Sequence, residues 1–188
     1  MMDVLRRNAR SPRPWKNGLG VSEDILVADS PDPARDPAWR ISMATIESDV
    51  PFSRFDGTDR LLMPIGPTGL RLDVDAQTRS VPQFGVVAFP GEANVATKGV
   101  SKPEQDLNVM VDRRRATATL THHYVVGTSA PPVAAPGEIA IAVALSSTLR
   151  HNGELLTVGD ALLLESSSTD SLGGFGTIAV ARIKPLAE

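Results

Sequence analysis

No window of this chain carries a long helical stripe; its apolar residues recur with a period of two, in short runs broken by Gly, Pro, Asn and Asp. Trp39, Ile41 and Met43 alternate with Arg40, Ser42 and Ala44, and Leu70, Leu72 and Val74 with Arg71, Asp73 and Asp75. Leu107, Val109 and Val111 alternate with Asp106, Asn108 and Met110. Such spacing predicts strands with one apolar face each. From Val21 to Ala28 the alternation is imperfect, with Glu23 on the more apolar side. Asp29 to Pro37, with three prolines and three aspartates, reads as a loop. In the last third Ile139 to Leu145, Glu154 to Val158, Ala161 to Leu164 and Thr177 to Ile183 have strand composition between turn clusters. Many short strands at turn spacings of about eight to twelve residues predict an all-β sandwich or barrel.

An internal echo points to two such barrels. Val81-Pro82-Gln83-Phe84-Gly85 followed by Val86 to Phe89 resembles Leu155-Leu156-Thr157-Val158-Gly159 followed by Asp160 to Leu163. An apolar strand, a glycine corner and a second apolar strand thus occur twice. The expected division is a first barrel over residues 1–115, carrying the ligand pocket, and a second over 116–188, with N-terminal strands free to pair across the boundary. Gly127 to Gly137, with Pro131, Pro132 and Pro136, is the expected linker.

A chain of 188 residues, 41% hydrophobic, can bury a real core. Its net charge of −3 lacks the basic footprint that nucleic acid requires, and Arg113-Arg114-Arg115 reads as a solvated strand end. Without cysteine there is no disulfide, thiolate nucleophile or zinc-thiolate site. Met1 to Arg13 lacks the apolar region of an export signal, and the longest wholly apolar run, Ile139 to Leu145, is too short to span a bilayer. A cytoplasmic protein without a membrane partner is expected.

The richest site chemistry lies in Pro51 to Arg60, where Phe52, Ser53, Phe55, two arginines and two aspartates surround Gly57 ahead of the apolar run Leu61 to Met63. Arg60 can grip a carboxylate bidentately, Lys16 can add a point charge, Asn17 and Asn108 bring donors and an acceptor, and Trp15, Phe52 and Phe55 supply apolar walls. Each has a plainer alternative: Arg60 paired with Asp59 or Asp56 on the surface, Phe52 and Phe55 as core, and Asn108 facing either solvent or a barrel lumen. Pro14-Trp15-Lys16-Asn17-Gly18-Leu19-Gly20 either turns amides and Lys16 towards an anion or is a turn pinned by a packed tryptophan.

No catalytic residue is assigned. Ser53 is not in a nucleophile-elbow context, and Asp56 and Asp59 read as turn formers. A metal site needs several converging histidines or carboxylates, yet the chain has only His122, His123 and His151. The first two would point to opposite faces of a strand, and His151 beside Asn152-Gly153 looks like a turn residue. No metal and no cofactor are expected.

Four motifs, Pro14-Trp15-Lys16-Asn17-Gly18-x-Gly20, Trp39-Arg40-Ile41-Ser42, Pro51-Phe52-Ser53-x-Phe55-x-Gly57-x-Asp59-Arg60 and Asp106-Leu107-Asn108-Val109-Met110, resemble the HutD/Ves family in order and spacing. The resemblance covers about Pro14 to Arg115. It implies two fused cupin-like jelly-roll barrels and a role in histidine utilisation, exercised by binding a small anionic metabolite such as N-formylglutamate or urocanate. Leu19 departs from the pattern where a third glycine is usual, and Asp56 where proline is. Two alternatives stand beside the binding protein: a metal-independent isomerase or hydrolase acting on a small carboxylic acid, and an interaction module whose second barrel forms a homodimer surface.

Overall fold

The computed structural model describes residues 2–28 and 36–186. The loop expected from Asp29 to Pro37 falls, up to Arg35, outside the described residues. Strands run β1 Val4–Leu5, β2 Pro12–Pro14, β3 Val21–Ala28, β4 Trp39–Ile46, β5 Thr58–Pro64, β6 Leu70–Val74, β7 Gln77–Val81 and β8 Val87–Pro90. They continue as β9 Val95–Thr97, β10 Glu104–Asp112, β11 Ala116–Ser129, β12 Ile139–Ala144, β13 Arg150–His151, β14 Glu154–Leu155, β15 Ala161–Leu163 and β16 Leu172–Pro185. A single 3-10 turn, Arg7–Ala9, is the only helical element among the described residues. No helix there is long and apolar enough to cross a membrane.

Two compact units divide the chain, one of Ser11–Thr117 with Leu186–Glu188, the other of Met1–Arg10 with Ala118–Pro185. The stretch Gly127 to Gly137 does not separate them, because Gly127 lies within β11, which belongs to the later unit from Ala118 onward.

The earlier unit holds a six-stranded sheet, β2-β3-β4-β10-β5-β8, and a three-stranded sheet, β7-β6-β9. One core is built from Ile46, Leu62, Leu72, Val87 and Phe89, on strands of both sheets, with Phe52 from the stretch between β4 and β5. The ladders of β10 with β4 and β5 are antiparallel and continuous. The ladder of β3 on β4 shifts register between Asp24 and Leu26, leaving Ile25 as an extra residue. That bulge is why Val21 to Ala28 alternates imperfectly in sequence. Asp75 and Ala76 take positive φ in the two-residue hairpin joining β6 to β7.

In the later unit seven strands form one sheet, β1-β15-β12-β16-β13-β14, with β11 also on β16. Its core is aliphatic, with Leu149, Leu156, Leu162, Leu172, Ile178 and Val180 all buried. Asn152 and Gly153 turn between β13 and β14 with positive φ, as the Asn-Gly pair suggests. His151 itself is not a turn residue. It is a buried strand residue whose Nε2 lies 3.2 Å from Asp170 Oδ2.

Candidate functional site

Register builds the site. Opposite Asn108 on β10 stand Ser42 on β4 and Leu62 on β5; opposite Met110 stand Arg40 and Arg60; opposite Asp106 stand Ala44 and Pro64. Residues in register share a face, and two residues along each strand return to it, so Arg40, Ser42, Arg60, Asp106, Asn108 and Met110 lie on one side of the sheet. Ile41, Met43, Leu107 and Val109 occupy the other. The polar side, closed by Trp15, Phe52 and Phe55, lines a cavity of about 170 Å³.

Arg60 forms the floor. Its residue is 7% exposed, yet it carries a charge, and the cost of that burial is offset by specific contacts. Nη1 donates to the Ser53 carbonyl at 3.2 Å and Nη2 to Asn108 Oδ1 at 3.0 Å. The guanidinium carbon sits 5.4, 5.7 and 5.1 Å from the ring centroids of Phe52, Phe55 and Phe89, within cation–π range. Burial, opposed by the Asp106 charge and then reinforced by Arg40, brings Arg60 down to about 10. It therefore stays cationic at neutral pH. Its Nε has no hydrogen-bond partner among the described residues.

Asp106 is 1% exposed, and its Oδ1 accepts from the Asn108 amide. Asn108 thus bridges the two charges, its oxygen to Arg60 and its nitrogen to Asp106. Asp106 Oδ2 is left without a partner among the described residues. Burial pushes this carboxyl up to about 7, against the Arg60 charge and the Asn108 hydrogen bond, which lower it. Arg40 is engaged differently, donating to Asp24 Oδ1 at 2.5 Å and to Ser22 Oγ at 2.7 Å.

The sequence-predicted residues divide by position. Arg60, Lys16, Asn108, Trp15, Phe52, Ser53 and Phe55 line the cavity together. Asn17 is not among the lining residues: its Nδ2 donates to the Pro51 carbonyl at 2.8 Å, and its Oδ1 accepts from the Leu19 amide, so it ties the glycine loop to the Pro51 stretch. Lys16 reaches the rim with its ammonium 4.5 Å above the Phe55 ring and paired with Asp36 at 2.6 Å. Arg60 does not pair with Asp59, which binds Arg113 at 2.9 Å instead.

The glycine loop follows the packed-tryptophan alternative. A Cβ on Gly20 would lie 2.8 Å from the Trp15 ring, and Trp15 meets Phe52 edge-on with centroids 5.6 Å apart. Leu19 and Asp56, where the chain departs from the family pattern, are exposed and outside the lining.

Sequence reasoning passed over Asp106, Arg40, Ser42, Ser22, Asp36 and Met110 as lining residues. The signal was present for two pairs: Asp106 shares the phase of Asn108, and Arg40 shares that of Ser42. Among the described residues no group of three or more His, Asp or Glu could hold a metal ion.

A sandwich of antiparallel sheets around a small polar cavity defines a cupin-like β protein, and the chain is similar in fold to a cupin 2 conserved barrel domain protein from Leptotrichia buccalis. That likeness has a TM-score of 0.54 at 10% identity and covers 98% of this chain and 96% of the other. The HutD family model matches residues 7–179, and the chain belongs to the HutD family. It is 35% identical over 120 residues to an uncharacterized 21.2 kDa protein in the hutC 3' region of Pseudomonas putida, and 32% identical over 106 residues to Protein Ves of Citrobacter koseri. Those alignments span 63% and 55% of this chain, and 63% and 54% of the relatives' own lengths. HutD from Pseudomonas fluorescens SBW25, in its formate condition, has the same fold, with a TM-score of 0.78, 24% identity and full coverage of both chains.

Proposed function

We propose that the chain is a small-molecule-binding protein of the HutD/Ves type whose cavity takes a small carboxylate such as N-formylglutamate or urocanate, and that occupancy modulates histidine utilisation. The observation that carries this reading is Arg60. Its cation is desolvated, fixed by the Ser53 carbonyl and Asn108, caged by three phenyl rings, and left with unused donor capacity at a small cavity. A rigid fork of donors suits bidentate recognition of a carboxylate. The aromatic walls suit the carbon skeleton behind it.

Two of the similar proteins agree with this reading: the Pseudomonas putida relative lies in a hutC 3' region, and HutD from Pseudomonas fluorescens SBW25 was solved in a formate condition. For a metabolite sensor the expected affinity is about millimolar to micromolar, roughly −4 to −8 kcal/mol. A thermal-shift screen of histidine-pathway acids, followed by calorimetry, tests it. A specific acid should raise the melting temperature of the wild type and not that of Arg60→Ala. If no acid in the screen shifts the wild type, the carboxylate reading is wrong.

A second reading, a metal-independent isomerase or hydrolase on the same acid, is favoured by one observation. Asp106 lines the same cavity with its carboxyl pushed up to about 7, where it can exchange a proton with a bound molecule near neutral pH. Incubating N-formylglutamate or urocanate with the protein and following it by proton NMR separates the two. Turnover lost in Asp106→Asn establishes the enzyme; unchanged ligand after prolonged incubation leaves the binding protein.

A further inference from the structure

Asp106 has no part in the carboxylate-binding reading above, on which the following step rests. It is the most completely buried charged-type residue of the cavity, one of its oxygens is held by Asn108, and the other has no partner among the described residues. The other ionisable groups lining its cavity come from neighbouring elements, and of these Arg60 acts on it directly. β5 contributes Arg60; β4 contributes Arg40, held in turn by Asp24 of β3; and the rim contributes Lys16, paired with Asp36. Its direct ladder partners, Ala44 and Pro64, carry no charge. Arg40 and Lys16 each already have a carboxylate of their own, which leaves Arg60 as the counter-charge to Asp106.

An acid seated on Arg60 brings a second carboxylate to the same guanidinium, in a cavity where Arg60 and Asp106 are both buried. Two carboxylates sharing one desolvated cation cannot both remain ionised cheaply. The ligand's carboxylate gains the charge-assisted bonds of the Arg60 fork. Asp106 keeps only the Asn108 amide on Oδ1, and Oδ2 has the free capacity to hold hydrogen. We propose that the cavity takes up its acid together with one proton from solvent, which lodges on Oδ2 of Asp106, so that the bound species is the anion plus a proton. No other bond is made or broken. Asp106 acts here as a positioning residue for charge, tuning the anion site that Arg60 provides.

The consequence is a pH-dependent affinity. With the free carboxyl titrating at about 7, binding is nearly constant below that pH and weakens above it by a factor approaching ten per pH unit. The probes are N-formylglutamate and formate, whose carboxyls are ionised above about pH 5. Urocanate is avoided because an imidazole titrates in the same range. Calorimetric titrations of the whole chain between pH 5.5 and 8.5 at constant ionic strength give the profile. Repeating them at pH 8 in two buffers of different ionisation enthalpy counts the protons.

The wild type should bind close to one proton per acid at pH 8, and its dissociation constant should rise by about eightfold from pH 7.5 to 8.5. Asp106→Asn, whose amide stands in for the protonated acid, should flatten the profile and remove the proton uptake. A flat wild-type profile, proton release, or the same slope in Asp106→Asn overturns the inference while leaving the carboxylate site standing. Absence of binding by both probes at every pH overturns the carboxylate reading and this inference with it. If Asp106→Asn does not fold, the wild-type proton count decides by itself.

Discussion

The two units put opposite kinds of residue on the inner faces of their sheets. In the unit of Ser11–Thr117, Arg40, Ser42, Arg60, Asp106 and Asn108 share the side that lines the cavity, beside an apolar core of Leu62, Val87 and Phe89. In the unit of Ala118–Pro185 the phase of β12 and β16 that faces the core carries Ala140, Ala142, Ala144, Ile178 and Val180, packed on Leu149, Leu156 and Leu162. Each unit nevertheless buries two acids, Glu104 and Asp106 in the earlier and Asp160 and Asp170 in the later, and of these Asp106 and Asp170 are treated in opposite ways.

Asp170 in the later unit accepts the Met2 amide at 2.5 Å and the Asn152 amide at 2.9 Å, and lies 3.2 Å from His151 Nε2. The Met2 and Asn152 hydrogen bonds outweigh burial and hold its carboxyl well below the usual range. Asp106 receives one side-chain hydrogen bond and is pushed up. A buried charge with all its lone pairs engaged is structure; a buried charge with capacity left over beside a cavity is a resource for a ligand. The difference lies in how many donors the fold supplies to each acid, because both are equally acidic by sequence.

The largest expected effect breaks the apolar unit. Leu162→Ala removes a side chain at the centre of an aliphatic core and should cost about 2–5 kcal/mol, read from denaturant unfolding. In the polar unit the corresponding test is on binding: Arg60→Ala should weaken the best screened acid by about 1.5–3 kcal/mol, tenfold or more, in calorimetry. Unchanged affinity with the fold intact would make the polar face a structural network like that of Asp170.

Asp170→Asn sharpens the contrast between the two acids. A folded carboxyl held below its ordinary value of 3.8 stabilises the native state above about pH 4 and loses that contribution as the pH falls through its folded value. The wild type should therefore melt above Asp170→Asn at pH 7, with the gap closing on acidification below pH 4. A gap that does not narrow at all between pH 4 and pH 2 would point to lost packing instead. Lys16→Ala should have the smallest effect, under about 1 kcal/mol in affinity, because the ammonium is half exposed and already paired with Asp36. A loss as large as that of Arg60→Ala would move the anion anchor to the rim.

Much of the fold was legible from period and punctuation. The alternation in β4, β6 and β10 and the Asn152-Gly153 turn follow from rules that act within a few residues. The glycine loop was legible as two alternatives, and packing chose between them: Gly20 is required by the approach of the Trp15 ring, while Asn17 spends its amide on Pro51. His151 was misplaced as a turn residue because its partner, Asp170, is distant in the chain and gives no local signal.

By itself the sequence determined that Asp106 and Asn108 share a face of one strand, that Arg40 and Ser42 share a face of another, and that Leu107, Val109 and Ile41 lie opposite. A period of two requires it, since successive side chains alternate across the backbone. Whether those polar faces met solvent or a lumen was open, because either environment accepts the same alternation. Tertiary structure decided it through strand register. Met110 came to stand between Arg40 and Arg60, Asn108 between Ser42 and Leu62, and the Phe52 and Phe55 rings closed over them. The opposite phases of those strands are buried as well, so a pattern that reads as half-exposed in sequence is enclosed on both sides, and its polar half becomes the wall of a cavity.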